Sequence, residues 1–463
     1  MTRNVALIIL DTVRKDYFDK HAPRLTALSD VSFSECRAAS SWSTPSHASI
    51  MTGELPSQHG VHTHNKSFTT IDPNTAFTAE LSHHTACISA NAFASTEFGF
   101  DQFFDDFISV STDKYFPDGK NIKWWIHNRE EEGLARFPAF FKMALSSNSP
   151  LQTIGNGLVL KARSLFEQAP IPTPLTEGAG RMCAHAREVP DDEPFFLFMN
   201  FMDAHGPLKS ISGFDNSLHD VPHTWTSNDF ENWEMILADE TDELFQEHLQ
   251  HYRELYATAI DYLDQKVTQL ATDLQENTDD ETTVIVTADH GENLGYAEED
   301  RLFNHTASLS EALLHVPCEI INAPSWLDAE YNEVFSHLDL GELITAIARD
   351  TPFSEMPHRS HVPAEVIGAG VTNPQLNEKY WDRLIRAVYT NPQTKYVWDS
   401  LGDSFVQHKT DDHWEKEDAP IPPEILAQFE TDIQEYKSTV MDDEQRVDLD
   451  PETESRLEEL GYL

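Results

Sequence analysis

Three apolar runs, each ending in acids or an acid–histidine pair, constrain this chain more than any other feature. Val5-Ala6-Leu7-Ile8-Ile9-Leu10 stops at Asp11, Pro194 to Met202 stops at Asp203-Ala204-His205, and Thr282 to Ala288 stops at Asp289-His290. Unbroken apolar runs of this length suit strands buried on both faces, as in a parallel sheet covered by helices. Ligands of open α/β sheets gather at the carboxyl ends of the strands. The expectation is therefore an α/β chain whose strands deliver Asp11, Asp203, His205, Asp289 and His290 to one rim. Aspartates, a histidine and a hydroxyl oxygen suit one divalent cation, with Mn²⁺, Zn²⁺, Mg²⁺ and Ca²⁺ all compatible.

The hydroxyl comes from the stretch Ser41 to Gly53. Ser43 and Thr44 precede Pro45, a residue favoured at the first helical position, and Gly53 is a good helix stop. A hydroxyl at a helix start sits among outward-pointing backbone N–H groups, which bind anions. Read alone, Ser43 is a nucleophile or an N-cap. Beside the three strand ends, it is the candidate nucleophile for a negatively charged ester, activated by the cation.

The rest of the chain is read around this frame. Val31 to Ala38 and Thr85 to Ala90 are expected as strands, Ala76 to Leu81 as a helix, and Pro317 to Ile321 as a further strand. Residues 110–190 read as an insertion over the sheet edge. A long helix is expected over Thr241 to Leu274, with Leu244, His248, His251, Leu255, Ala259, Tyr262 and Val267 near one face. The pattern changes after Pro324. Ile385 to Tyr389 and Lys395 to Val397 form a hairpin about Asn391-Pro392, Gly402 to His408 adds a strand, and Pro451 to Leu463 reads as a helix docking Leu460-Gly461-Tyr462-Leu463 on the core. The expected division is a catalytic α/β domain over 1–324 and a smaller antiparallel-sheet subdomain over 325–463.

The formal net charge is −47, from 79 acidic and 32 basic residues. That argues against nucleic acid or an anionic membrane surface as the main partner of the chain as a whole. The acids are spread along the chain, as in Asp191-Asp192-Glu193 and Asp442-Asp443-Glu444, so they read as a solvated surface adapted to high salt. Cys36, Cys87, Cys183 and Cys318 are widely spaced and show no zinc-like pattern. They read as free thiols of a reducing compartment. With no apolar run long enough to span a membrane, the expected location is cytoplasmic.

Taken in order, Asp11-Thr12-Val13-Arg14, Ser43-Thr44-Pro45-Ser46-His47 with Thr52-Gly53, Pro56 and His59-Gly60, Asp203-Ala204-His205, and Asp289-His290-Gly291-Glu292 resemble the sulfatase family of the alkaline-phosphatase superfamily, in a halophilic-archaeal form. The resemblance implies an alkaline-phosphatase-like α/β/α sandwich with a smaller C-terminal sheet. It implies one metal ion held by Asp11, Asp289, His290 and Ser43. It makes His205 an acid or anion-binding group and puts His305 where the family commonly carries a cation near the leaving oxygen. Asp203, His205 and His305 are candidates for a second cation site. The family pattern at the nucleophile is Cys-x-Pro-Ser-Arg, with Cys, or sometimes Ser, oxidised to formylglycine. Here His47 replaces that arginine, which argues against conversion of Ser43, and Thr12 replaces a carboxylate or amide ligand. The implied activity is hydrolysis of sulfate esters, of a small anionic ester or a sulfated glycan. A phosphodiesterase, phosphonate monoester hydrolase or phosphoryl transferase on the same scaffold is the alternative, followed by a non-catalytic binding protein.

Overall fold

A computed structural model describes residues 2–463 apart from 111–114, 117, 128–135, 168–177, 190–192, 231–233, 236–242, 279, 306–307, 354–355, 358, 369–376, 411–412, 443–452, 454–456 and 458–463. The apolar run at the start of the chain forms the strand Asn4–Leu10, and all of its residues are buried. It pairs in parallel with Phe195–Phe201 on one side and Thr282–Thr287 on the other. The registers Leu10↔Phe201 and Ile9↔Thr287 bring the three strand ends level. Among the described residues these strands are the middle of an eight-stranded sheet. Its order is Glu330–Tyr331, Val31–Phe33, Cys318–Ile321, Thr282–Thr287, Asn4–Leu10, Phe195–Phe201, His84–Ser89 and Asp106–Ser109. Cys318–Ile321 runs antiparallel to both of its neighbours. The fold is thus the expected α/β class, a large and mostly parallel sheet with a separate small antiparallel one.

The helix Glu243–Asn277 lies against this sheet along a stripe that includes Phe245, Leu249, Tyr252, Tyr256, Leu263 and Val267. His248, Leu255, Ala259 and Tyr262 are buried with it, as expected, but Leu244 is 70% exposed. The centre of the stripe falls one position later than Leu244, so that residue lies on the flank. The expected strand Val31 to Ala38 is broken by a turn at Ser34-Glu35. Val31–Phe33 joins the main sheet, whereas Cys36–Arg37 pairs with Phe335–Ser336. Ala76 to Leu81 is a short 3-10 turn, Phe77–Glu80, rather than an α-helix.

The small sheet is a simple antiparallel run, Val362–Ile367, Leu384–Asn391, Thr394–Asp399, Ser404–Lys409 and Trp414–Asp418. Its hairpin turns at Asn391, as the sequence suggests. A second apolar cluster, including Leu384, Val388, Trp398 and Phe429, joins it to Ala39, Leu55 and Leu338 of the large body. Two polar seams add to this junction. Glu365 N–H donates to Ala39 O (2.9 Å) and Ser40 Oγ donates to Glu365 O (2.7 Å), so the small sheet holds the segment entering Ser43. Lys395 Nζ donates to Glu311 Oε1 (2.8 Å), which also accepts from Tyr389 Oη (2.5 Å). The expected docking of Leu460 to Leu463 lies outside the described residues. Cys36, Cys87, Cys183 and Cys318 are buried free thiols. No helix among the described residues is long and apolar enough to cross a membrane.

Candidate active site

Asp11 follows its strand directly, and its N–H donates to Phe201 O (2.9 Å) across the sheet. Its Oδ2 accepts from Asn91 Nδ2 (2.7 Å), Asn200 Nδ2 (3.3 Å) and Ser43 Oγ (3.3 Å). Oδ1 has no hydrogen-bond partner, although Asp11 is wholly buried. Asp289 has the same asymmetry. Oδ1 accepts from Thr12 N–H (3.4 Å) and His290 N–H (3.0 Å), and Oδ2 is without a hydrogen bond. A buried carboxylate oxygen without a hydrogen bond is costly, and one on each of two neighbouring aspartates, with His47 Nδ1 3.6 Å from Asp289 Oδ2, suits a cation. Burial, reinforced by the like charge of Asp289, raises the Asp11 carboxyl above the usual range.

His290 completes the set. Its Nδ1–H donates to Gly291 O (2.8 Å), which leaves the bare Nε2 facing Ser43 Oγ (3.4 Å) and Asp289 Oδ2 (3.5 Å). Burial, with His305 alongside, lowers His290 to about 3, so the ring is neutral and ready to ligate. One ligand atom from each of Asp11, Asp289 and His290 lies within 4.8 Å of the others. The donor set and its orphaned oxygens fit a divalent cation. The turn depends on Gly291, where an added Cβ would stand 1.9 Å from Ala312 O.

Ser43 opens the helix Ser43–Thr52, after an extended Trp42. The helix begins two residues earlier than the proline suggests. Its first backbone bond runs from Ser46 N–H to Trp42 O (3.2 Å), so Pro45 still falls among positions that need no donor. Ser43 does not cap the helix; its hydroxyl points to Asp11 and His290. His47, one turn on, donates from Nδ1 to Ser43 O (2.6 Å), and its ring stands among Phe100 and Phe198. Thr12 adopts a left-handed conformation (φ 63°), which a β-branched residue rarely holds. Its hydroxyl donates to Asp11 O (2.6 Å) and its carbonyl accepts from Tyr256 Oη (2.6 Å), which in turn accepts from Arg14 N–H (3.0 Å). Tyr256 thereby fastens the turn that carries Asp11.

His205 and His305 come together beside this cluster. Their ring centroids are 5.2 Å apart, and His305 stands 4.8 Å from His290. Burial and His205 push His305 down to about 3, while burial pushes its partner Glu292, 3.3 Å away, up to about 8. The pair is therefore neutral near pH 7. Asp203 is not part of the Asp11–Asp289–His290 group; its carboxylate accepts from Ala179 N–H (3.2 and 3.1 Å). His59 and Arg14 are structural. His59 bridges Ser49 and Val61, and Arg14 is fastened to Asp16 and Glu299.

Three residues at or near the site escape the sequence reading, and a fourth, Glu292, enters it only as part of a motif and without a role. Asn91 and Asn200 orient Asp11, Glu292 pairs with His305, and Lys66 extends its ammonium over the Phe93 ring (5.4 Å to the centroid). Lys66 has no carboxylate or carbonyl partner among the described residues, and burial alone lowers its pKa. Phe93 stacks edge-on against Trp42 (5.6 Å), the residue before Ser43. Asn91 and Asn200 are at strand ends, the one signal that would have marked them.

The model of the family described as Sulfatase matches residues 3–349. The chain belongs to the sulfatase family. A search of curated proteins gave no match. Among solved structures, this sulfatase-family chain is similar to the phosphonate monoester hydrolase of Silicibacter pomeroyi, at 15% identity over 95% of this chain and 94% of that one, with a TM-score of 0.60. The phosphonate monoester hydrolase of Agrobacterium radiobacter aligns at 15% identity over 88% and 89%, with a TM-score of 0.57. BT4656, solved in complex with its substrate D-glucosamine-2-N,6-O-disulfate, aligns at 14% over 99% and 98%, with a TM-score of 0.54. At such identities the likeness is one of fold.

Proposed function

We propose that this sulfatase-family chain is a divalent-metal-dependent hydrolase of sulfate esters in which Ser43 is the nucleophile. The observation that carries this reading is the meeting of Ser43 Oγ with Asp11 Oδ2 and His290 Nε2 beside the two partnerless carboxylate oxygens. Asp11, Asp289, His290 and Ser43 would hold the ion. When bound, the ion stabilises negative charge on the ester and favours the alkoxide form of the serine.

The chain's own groups do the rest. Asn91 and Asn200 fix Asp11, so that Asp11 Oδ2 is aimed at the serine hydroxyl. The start of the Ser43–Thr52 helix faces the anionic ester with its free N–H groups. Lys66 supplies a cation for the negative charge of the substrate. His205 and neutral His305 offer ring N–H groups to the leaving oxygen, and the protonated Glu292 carboxyl behind His305 is the proton source for it. An ester on an unmodified serine has no elimination route, so water must displace Ser43 Oγ in a second step. A small anionic ester or a sulfated glycan fits this chemistry. The net charge of −47 supports a protein adapted to high salt, where screening relieves self-repulsion and admits an anionic substrate.

A second reading, hydrolysis of phosphate diesters or phosphonate monoesters, is favoured by one observation: His47 stands where an arginine accompanies formylglycine formation. Rates on an aryl sulfate, a phosphate monoester, a phosphate diester and a phenylphosphonate, measured in molar KCl with Mn²⁺ or Ca²⁺, separate the two. Fastest turnover of the sulfate supports the first reading. Fastest turnover of the diester or phosphonate replaces it with the second. No turnover of any of them by metal-loaded protein sinks both.

A further inference from the structure

The insertion after the strand Asp106–Ser109 carries two helices, Arg136–Leu145 and Pro150–Glu167, that pack on each other. Their inner side is occupied. Phe140 lies against Gly157 and near Trp125 (6.1 Å), and Asn156 is hydrogen-bonded to the backbone of Phe116 and Lys120. Their outer side is apolar and bare. Phe137, Phe141 and Leu145 are spaced by four along the first helix, and Leu151, Leu158 and Leu165 by seven along the second, so each set forms one stripe. All six are exposed, Leu145 at 69%, Leu151 at 85% and Leu158 at 68%. Elsewhere among the described residues the exposed large apolar side chains are scattered singly or in pairs along the chain.

The charge of this segment is as distinctive as its exposure. Residues 136–166 contain Arg136, Lys142, Lys161 and Arg163 and no aspartate or glutamate, in a chain with 79 acids and 32 bases; acids resume at Glu167 and precede the segment as Glu130-Glu131-Glu132. A basic amphipathic segment with exposed leucines and phenylalanines fits the boundary of a lipid bilayer. Pairing with the same face of a second copy fits poorly, because it would gather the cations of both copies with no acid in either segment to answer them. The negative charge of the whole chain acts only over about a Debye length, roughly 8 Å at physiological salt. Within that reach the four cations of 136–166 outnumber Asp118, which accepts from Gln152 Nε2 (3.0 Å), and Glu167 at the end of the second helix. The insertion leaves the sheet at the carboxyl end of a strand parallel to its neighbour, and it returns through the Ala179–Ala186 helix, whose first N–H is held by Asp203. Asp106–Ser109 thus ends at the same edge of the sheet as the strand that precedes Asp11.

We propose that the outer face of the 136–166 hairpin seats the protein on an anionic lipid bilayer. The test is co-sedimentation of the full-length chain with phosphatidylglycerol vesicles and with phosphatidylcholine vesicles, in a buffer where circular dichroism shows the native fold. Wild type should bind the anionic vesicles at least tenfold more tightly than the neutral ones. L151E/L158E/L165E should lose that binding, and K142E/K161E should lose most of the preference for anionic lipid, both with unchanged circular dichroism and unchanged turnover of a soluble ester. Should the leucine variant be misfolded, single L158E, at one exposed position, replaces it. Equal binding by wild type and variants, or no binding by wild type, overturns the proposal. So does light scattering showing that the leucine variant is a smaller oligomer than wild type, since the face then covers a second copy.

Discussion

The imidazole of His47 donates from Nδ1 to the main-chain carbonyl of Ser43 at 2.6 Å, from one helical turn further along the chain. With Phe100 and Phe198 beside it, His47 fixes the first turn from the inside and leaves the serine hydroxyl turned outward to Asp11. Mass analysis of the peptide containing Ser43 should therefore find unmodified serine. Ser43→Ala should lower kcat by at least about 10³-fold with little change in stability. Retained turnover would remove the nucleophile assignment.

Asp289 offers a test with two opposite signs. An asparagine there keeps the acceptor for Thr12 N–H and His290 N–H and removes a buried charge facing Asp11. Asp289→Asn should abolish binding of one divalent ion, as read by elemental analysis after dialysis. In EDTA, the same variant should melt at or above the wild-type temperature, because the like-charge pair is gone. A metal-free variant that melts well below wild type would contradict this account of the cluster.

Tyr256 holds the Asp11 turn through two hydrogen bonds, to Thr12 O and from Arg14 N–H. Tyr256→Phe leaves both buried groups unpaired and frees a threonine from a left-handed conformation. Denaturant unfolding should show a loss of about 2–4 kcal/mol. Turnover should fall as well, since Asp11 is no longer held in place.

Lys66 has no counter-ion of its own among the described residues. Lys66→Ala should raise KM for an anionic ester about 10-fold or more while leaving kcat within a few-fold, the pattern of a lost binding contact. Stability should stay level or rise, because a half-buried ammonium without a counter-ion has been removed. A fall in kcat with unchanged KM would move Lys66 out of substrate binding.

The junction of the two sheets predicts a pH dependence. Burial pushes the Glu311 carboxyl up, but Lys395 and Arg37 outweigh it and hold it at about 2, against an ordinary 4.5. A carboxyl depressed by folding adds stability that is complete above its unfolded pKa and is lost as pH falls through the folded one. The contribution is on the order of 3 kcal/mol. The stability gap between wild type and Glu311→Gln should be constant above pH 4.5 and close between 4.5 and about 2. A gap that persists below pH 2 would show that charge is not its source.

The frame was legible because its signals are strong and local. Asn4–Leu10, Phe195–Phe201 and Thr282–Thr287 are each continuously buried, so no alternation hides them, and Asp11, Asp203 with His205, and Asp289 with His290 follow closely on their ends. The supporting residues were not legible. Asn91 and Asn200 are ordinary amides until the sheet sets them 2.7 and 3.3 Å from Asp11. Lys66 follows three histidines and an asparagine with no pattern to mark it. Val31 to Ala38 misled because apolar residues continue across a turn whose two sides belong to different sheets. The helix over 243–277 was read correctly in kind, but its centre line drifts past Leu244.

The seam between Ser40 and Glu365 also has a meaning in time. Its two residues are 325 positions apart. At a synthesis rate of 5–20 residues per second, the segment bearing Ser43 leaves the ribosome roughly 15–65 s before the strand that clasps it exists. During that interval the serine is on an open chain, within reach of any modifying enzyme that reads extended peptide. Once Glu365 bonds to Ala39 and Ser40, the backbone that enters Ser43 is no longer extended peptide. An enzyme that acts on extended peptide would have only that interval in which to meet Ser43, and the finding of unmodified serine would mean that it passes unused.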